Sequence, residues 1–121
     1  MLTANPEKAS TARYVAVVLL EFQPAWLALS RSQRAARLAT LRPAFERYPD
    51  VALRWLDADA LGHGYSDFVV CEFSDLERYH FLWEEIRDSA LFSVPFVAIK
   101  DVMLGIEGGF QRYEASQAGA G

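Results

Sequence analysis

The element order β-α-β-β-α-β predicts an α+β domain of the ferredoxin-like type, a four-stranded antiparallel sheet with both helices on one face. Three observations carry this expectation. Residues 13–22, RYVAVVLLEF, are a β-branched and aromatic run with little alternation, the pattern of a strand buried on both faces. Two later segments place apolar residues at helical spacing, each behind a capping-box signature. Between them, runs 51–58 (VALRWLDA) and 66–73 (SDFVVCEF) flank the loop ADALGHGY, which reads as a hairpin.

Each element has its own signal. The 13–22 strand should lie centrally. Ser30 and Gln33 then open the first helix, because each side chain can satisfy the other residue's free backbone N–H. Leu38, Leu41, Phe45 and Tyr48 form its core stripe, with Arg31, Arg34, Arg37 and Arg47 mostly off it. Pro43 lacks an N–H and should kink this helix or split off its last turn, and Tyr48-Pro49-Asp50 ends it. Ser74 and Glu77 repeat the capping-box spacing before a second helix with Leu76, Tyr79, Trp83 and Ile86 on one stripe. A short apolar connection, ALFSVPF, leads to a fourth strand over 96–104, before Gly105. Residues 1–12 read as a disordered leader, 13–114 as one domain, and 115–121 as a disordered tail contributing nothing to stability.

Composition narrows the function. With 121 residues, 52% hydrophobic and 23% charged, the chain fills one ordinary core. Its longest mostly apolar run, Tyr14 to Leu20, is far short of the roughly 18 residues needed to cross a bilayer, and no secretory signal opens the chain. A cytoplasmic location without membrane contact is expected. A net charge of −4 argues against nucleic acid as a partner, even with ten arginines against two lysines. The lone Cys71 closes no intramolecular disulfide, and two histidines do not complete a zinc site. No metal and no cofactor are expected. Two helices cover one face of the sheet, so the other, apolar face calls for a second copy, and a homodimer formed sheet to sheet follows.

Charged residues inside strands are the candidates for chemistry. Arg54, Asp57, Asp67 and Glu72 interrupt apolar runs, where an unpaired charge would cost several kcal/mol. Arg54 is therefore expected half-buried and paired with Asp57, Asp67 or Glu72; alternation puts it on the face opposite Trp55 and Asp57, and sets Asp67 opposite Glu72. Hairpin register leaves the partner open. Such a group could bind a substrate carboxylate, tune a general base, or simply brace the hairpin. His63, between Gly62 and Gly64, is a candidate proton carrier on a loop able to close over a ligand, or an ordinary turn residue. Trp26, Trp55, Tyr65, Tyr79, His80, Trp83, Phe92 and Phe96 are candidates to line an aromatic-accepting pocket, with His80 at the edge of the second helix's stripe and most of the others equally suited to the core. GHG and GIEGG do not join a strand to a helix as a nucleotide loop must, and no nucleophile elbow occurs.

Four stretches carry a family resemblance: PAWLALSR (24–31), YPDVALRWLDADA (48–60), SDFVVCEFSDLERYHFLWEEIRD (66–88), and VPF followed by GIEGGFQRYE (105–114). In order and spacing, over about residues 14 to 114, the chain resembles the darcynin family of small bacterial proteins. That resemblance implies a dimeric α+β barrel, in which two ferredoxin-like sheets face each other and small hydrophobic molecules lie between sheet and helices. It implies no settled activity and no catalytic motif; some members accompany the catabolism of aromatic acids. Two functions follow. One is a cofactor-independent enzyme acting by proton transfer on an aromatic or polyketide-like molecule, as oxygenase, isomerase or cyclase. The other is a non-catalytic binding or accessory protein of an aromatic-compound pathway, with a pathway enzyme as its partner.

Overall fold

The computed structural model describes residues 3–61 and 64–120. Its sheet has five antiparallel strands in the order β1-β3-β4-β2-β5: β1 (Thr3–Ala4), β2 (Tyr14–Phe22), β3 (Ala52–Asp57), β4 (Asp67–Phe73) and β5 (Val97–Ile106). The last four have the order expected of a β-α-β-β-α-β domain, with β2 central between β4 and β5. The fifth strand corrects the four-strand expectation. Two residues of the leader pair with the outer edge of β3, Thr3 opposite Arg54 and Ala4 opposite Leu53. Asn5, in the left-handed region at φ 57°, turns the chain and donates its side-chain amide to the Val51 carbonyl at 2.9 Å. A 3₁₀ turn, Pro6–Thr11, follows. A strand of two residues has no periodicity to read, so the leader's disorder was a natural but mistaken expectation.

The helices lie against one face. α1 (Pro24–Leu27) and α2 (Arg31–Ala39) precede α3 (Arg42–Arg47), so the predicted first helix is divided, with Pro43 in the first turn of the second piece, where its missing N–H costs nothing. The Ser30–Gln33 capping box is present, at 3.2 and 2.8 Å. α4 (Leu76–Asp88) is capped differently from expectation. Asp75 accepts the N–H groups of Glu77 and Arg78 at 3.0 and 3.2 Å, while Ser74 accepts the Arg13 N–H at 3.3 Å. An ionised carboxylate is the better acceptor at a helix N-terminus, which displaces the cap by one residue. α5 (Ala90–Ser93) occupies the apolar connection. The chain ends in α6 (Gly109–Ala120), a helix where disorder was expected from residue 115.

The core lies between the sheet and these helices. Ala16, Val18 and Leu20 of β2, Trp55 of β3, and Val69, Cys71 and Phe73 of β4 pack against Leu41, Ala44, Leu82, Trp83, Ile86 and Leu91. Arg78 fastens α4 to the preceding layer: it pairs with Asp50 at 3.0 Å and lies over the Tyr48 ring at 4.6 Å. The opposite sheet face carries Val15, Val17, Leu19, Phe68 and Val70, all half-buried, and the 3₁₀ turn brings Pro6 beside Val70 on it. No helix among the described residues is long and apolar enough to cross a membrane.

Candidate functional site

Six of the candidate residues line two cavities on the helix-bearing side, and Arg54 and Glu72 lie on the opposite face. Register decides this. Asp57 stands directly opposite Asp67 across β3 and β4, whereas Arg54 stands opposite Val70 and Ala52 opposite Glu72. Directly opposed residues share a face, so the two aspartates look toward the helices while Arg54 and Glu72 look away. Arg54 is exposed, and no carboxylate among the described residues is within ion-pair distance of it. The expected half-buried pair is therefore corrected. Guanidinium at the rim of a sheet with only a two-residue neighbour strand stays in water and needs no partner.

Asp67 is the buried charged residue of the core, 4% exposed. The Trp55 indole N–H donates to its Oδ2 at 3.0 Å. Burial raises its pKa, and the adjacent Asp57 carboxyl raises it further, against the lowering effect of hydrogen bonds from Ser66 and Trp55. Desolvated and facing a second carboxyl, Asp67 holds its proton more readily than a free aspartate does. They border a cavity of ≈ 260 Å³ with Phe22, Trp26, Arg34 and Ser66 on its other sides. Arg34 does not neutralise the acids. Its guanidinium donates to the carbonyls of Trp26 and Leu27, at 3.2 and 2.8 Å, and so clamps α1 to α2. Ser66 accepts the Phe22 N–H at 2.7 Å. Neither Arg34 nor Ser66 was legible as a site residue, since Arg34 is placed by backbone carbonyls and Ser66 by the backbone of β2.

The larger cavity is a groove of ≈ 610 Å³ between α4 and β5. Val18, Ile99 and Val102 form its floor; Tyr79 and Trp83 form a wall; Glu77, His80, Glu84 and Arg87 bring polar groups from α4 alone. Helical spacing accounts for the α4 set, because residues 76, 80, 83, 84 and 87 recur three or four apart along one side. That spacing is in the sequence for Glu84 and Arg87 too, which no core stripe picks out, whereas Leu76 reads only as a core residue. Tyr79 is stacked on Phe73, ring centroids 4.2 Å apart, and burial pushes its hydroxyl pKa up. His80 Nε2 lies 3.3 Å from the Glu84 carboxylate. Trp83 is buried with its indole N–H unpaired. Beneath the wall, burial pushes the Cys71 thiol up to about 12, so it remains an inert thiol.

The other candidates lie apart from both cavities. Phe96 is core, edge-on to Trp26 at 5.7 Å. Phe92 is half-buried against that core, and Tyr65 is half-buried at the foot of the hairpin loop. His63 and Gly62 lie outside the described residues. No group of three or more potential metal ligands occurs among the described residues.

Residues 5–120 match the family model Darcynin, a domain of unknown function. This chain belongs to the darcynin family. It is 39% identical to Darcynin 1 of Acinetobacter baumannii over 90 residues, covering 74% of this chain and 100% of that one. It is 33% identical over 78 residues to Darcynin of Chromobacterium violaceum, covering 64% of this chain and 99% of the relative. Solved structures share the fold at low identity. A heme-binding protein from Thermus thermophilus superposes with TM-score 0.73 at 14% identity, covering 84% of this chain and 44% of that one. A putative chlorite dismutase superposes with TM-score 0.68 at 16% identity, covering 78% and 43%. The darcynin chain thus spans less than half the length of these structures.

Proposed function

We propose that this darcynin binds a flat, largely apolar small molecule of aromatic or polyketide type in the α4–β5 groove. The observation that carries this reading is the groove's division of labour: an apolar floor, an aromatic wall and charge confined to one helical rim. A ring would lie against Tyr79 and Trp83, and an acidic substituent would meet Arg87. His80, held by Glu84, is the proton acceptor on the rim. Self-association belongs to the same reading, because large apolar side chains stay exposed in the single chain. Titration with naphthoic and hydroxybenzoic acids, followed by tryptophan fluorescence, tests it. Val102→Trp fills the groove from an exposed position and should abolish the binding; binding that survives Val102→Trp would refute the assignment.

A second reading, catalysis by proton transfer, is favoured by the Asp57–Asp67 pair beside Trp26. A carboxyl whose pKa burial raises keeps its proton longer than a free one, which suits it to donate and take back a proton. Consumption of a bound aromatic acid, lost in Asp67→Asn with binding intact, would support it; binding without consumption leaves the protein a binder.

The heme-binding relative in fold raises a cofactor. The described residues do not fit one. His80 is the described histidine at the groove, its Nε2 is already engaged by Glu84, and its side chain is 63% exposed. Among the described residues no imidazole stands over the apolar floor to ligate a heme iron.

A further inference from the structure

β5 is an edge strand of the sheet with an apolar outer half. The Val102 N–H points off the sheet, where the Asp101 carboxylate accepts it at 2.8 Å. Strand alternation sends the backbone groups of Leu104 and Ile106 off the same edge, while Met103 and Gly105 face β2. From Val102 to Ile106 there is no charge and no proline, the features that normally protect an exposed edge. Val102, Met103, Leu104 and Ile106 are 46–54% exposed, and Phe110 and Tyr113 of α6 are 67% and 61% exposed.

α6 also lacks a seat. From Phe110 onward every described residue of it is exposed, and a 12-residue helix is marginal in water without a surface to pack on. Its root is fixed: the Glu107 N–H donates to the Arg13 carbonyl at 2.7 Å, and Gly109 lies so close to Ile106 that an added Cβ would meet its side chain at 3.3 Å. None of its residues lines the groove of its own chain.

We propose that two copies join by antiparallel pairing of their β5 edges about Leu104, and that α6 of each lies over the α4–β5 groove of the other. The two-fold axis keeps the helix-bearing faces on one side. Leu104 then pairs with its counterpart, Val102 with the partner's Ile106, and Gly109 falls opposite the partner's Ile99, on the groove floor. Phe110 and Tyr113, three apart on one side of α6, thereby complete the binding chamber in trans. The six exposed side chains from Val102 to Tyr113 present on the order of 600 Å² per copy; two arms and the surfaces they cover exceed the ~1,200 Å² at which stable interfaces begin. The covering of the groove rests on its role as binding site; the edge pairing does not.

Sedimentation equilibrium of the full chain tests the pairing without any ligand. The expected mass is twice 13.6 kDa. Leu104→Pro removes only an outward N–H and should weaken the dimer by at least an order of magnitude, leaving the β2 ladder intact. Leu104→Lys repeats this without altering the backbone, and Leu104→Cys should form a disulfide between copies on oxidation. A wild-type chain that stays at 13.6 kDa at millimolar concentration overturns the proposal. So does a dimer that withstands both Leu104 variants, and one that instead falls apart in Val17→Lys would be joined through the open sheet face. Deletion of 109–121 should weaken binding of anilinonaphthalenesulfonate several-fold. If dye binding is unchanged by the deletion yet lost in Val102→Trp, the groove is a site but α6 does not cover it.

Discussion

At the β3–β4 hairpin, polar groups are enclosed and matched: Asp67 has the Trp55 indole, Ser66 has the Phe22 amide, and Arg34 has two carbonyls. Along β5 and α6 the opposite holds, with apolar side chains and free strand edge turned to water. The first region is finished within one chain. The second is finished only by another surface, so its residues should tolerate change in folding but not in assembly or binding.

The largest expected effect breaks the enclosed region. Trp55→Ala removes a side chain only 4% exposed and leaves Asp67 without its donor; it should cost about 3–5 kcal/mol in urea unfolding. Val102→Ala, in the open region, should stay within about 0.5 kcal/mol. Next comes the leader. Deleting residues 1–12 removes β1 and the Asn5 bond to Val51, and should cost about 1–2 kcal/mol, where the sequence alone suggests no change.

Titration sharpens the comparison further. Because the folded pKa of Asp67 is raised, the native state keeps its proton longer than the unfolded chain, whose carboxyl titrates at about 3.9. Stability from this group is full below that value and declines as pH rises through the folded pKa. Asp67→Asn keeps an acceptor for Trp55 and should raise Tm at neutral pH, with the gain vanishing toward pH 4. Asp50, lowered by its hydrogen bond to Arg78, behaves in the opposite sense: its contribution is present above the ordinary carboxylate range and is lost as pH falls through its folded pKa. The smallest effect is expected at Arg54. Arg54→Met should shift unfolding by no more than about 0.5 kcal/mol, since the guanidinium is exposed and without an ion-pair partner among the described residues.

The hairpin shows how far local reading goes. Alternation alone set Arg54 opposite Asp57 and Asp67 opposite Glu72, and the structure agrees. Which acids meet depended on register across a loop, and register is decided by the core: Trp55 and Val69 must both reach the helices. The α4 groove was half legible. Tyr79, His80 and Trp83 stood out by chemistry, while Val18, Ile99 and Val102 come from strands that only tertiary folding brings beneath the helix.

Sequence by itself determined what depends on near neighbours: four strands, the Ser30 cap, the break at Pro43, the one-sided helices and the face each strand residue takes. These follow from periods of 2.0 and 3.6 residues and from hydrogen bonds made within a turn. Tertiary structure alone decided the leader's place beside β3, the Asp57–Asp67 meeting, the solitude of Arg54 and the overhang of β5 and α6. Each depends on residues tens of positions apart, whose approach is selected by packing of the whole core and leaves no periodic trace in either segment.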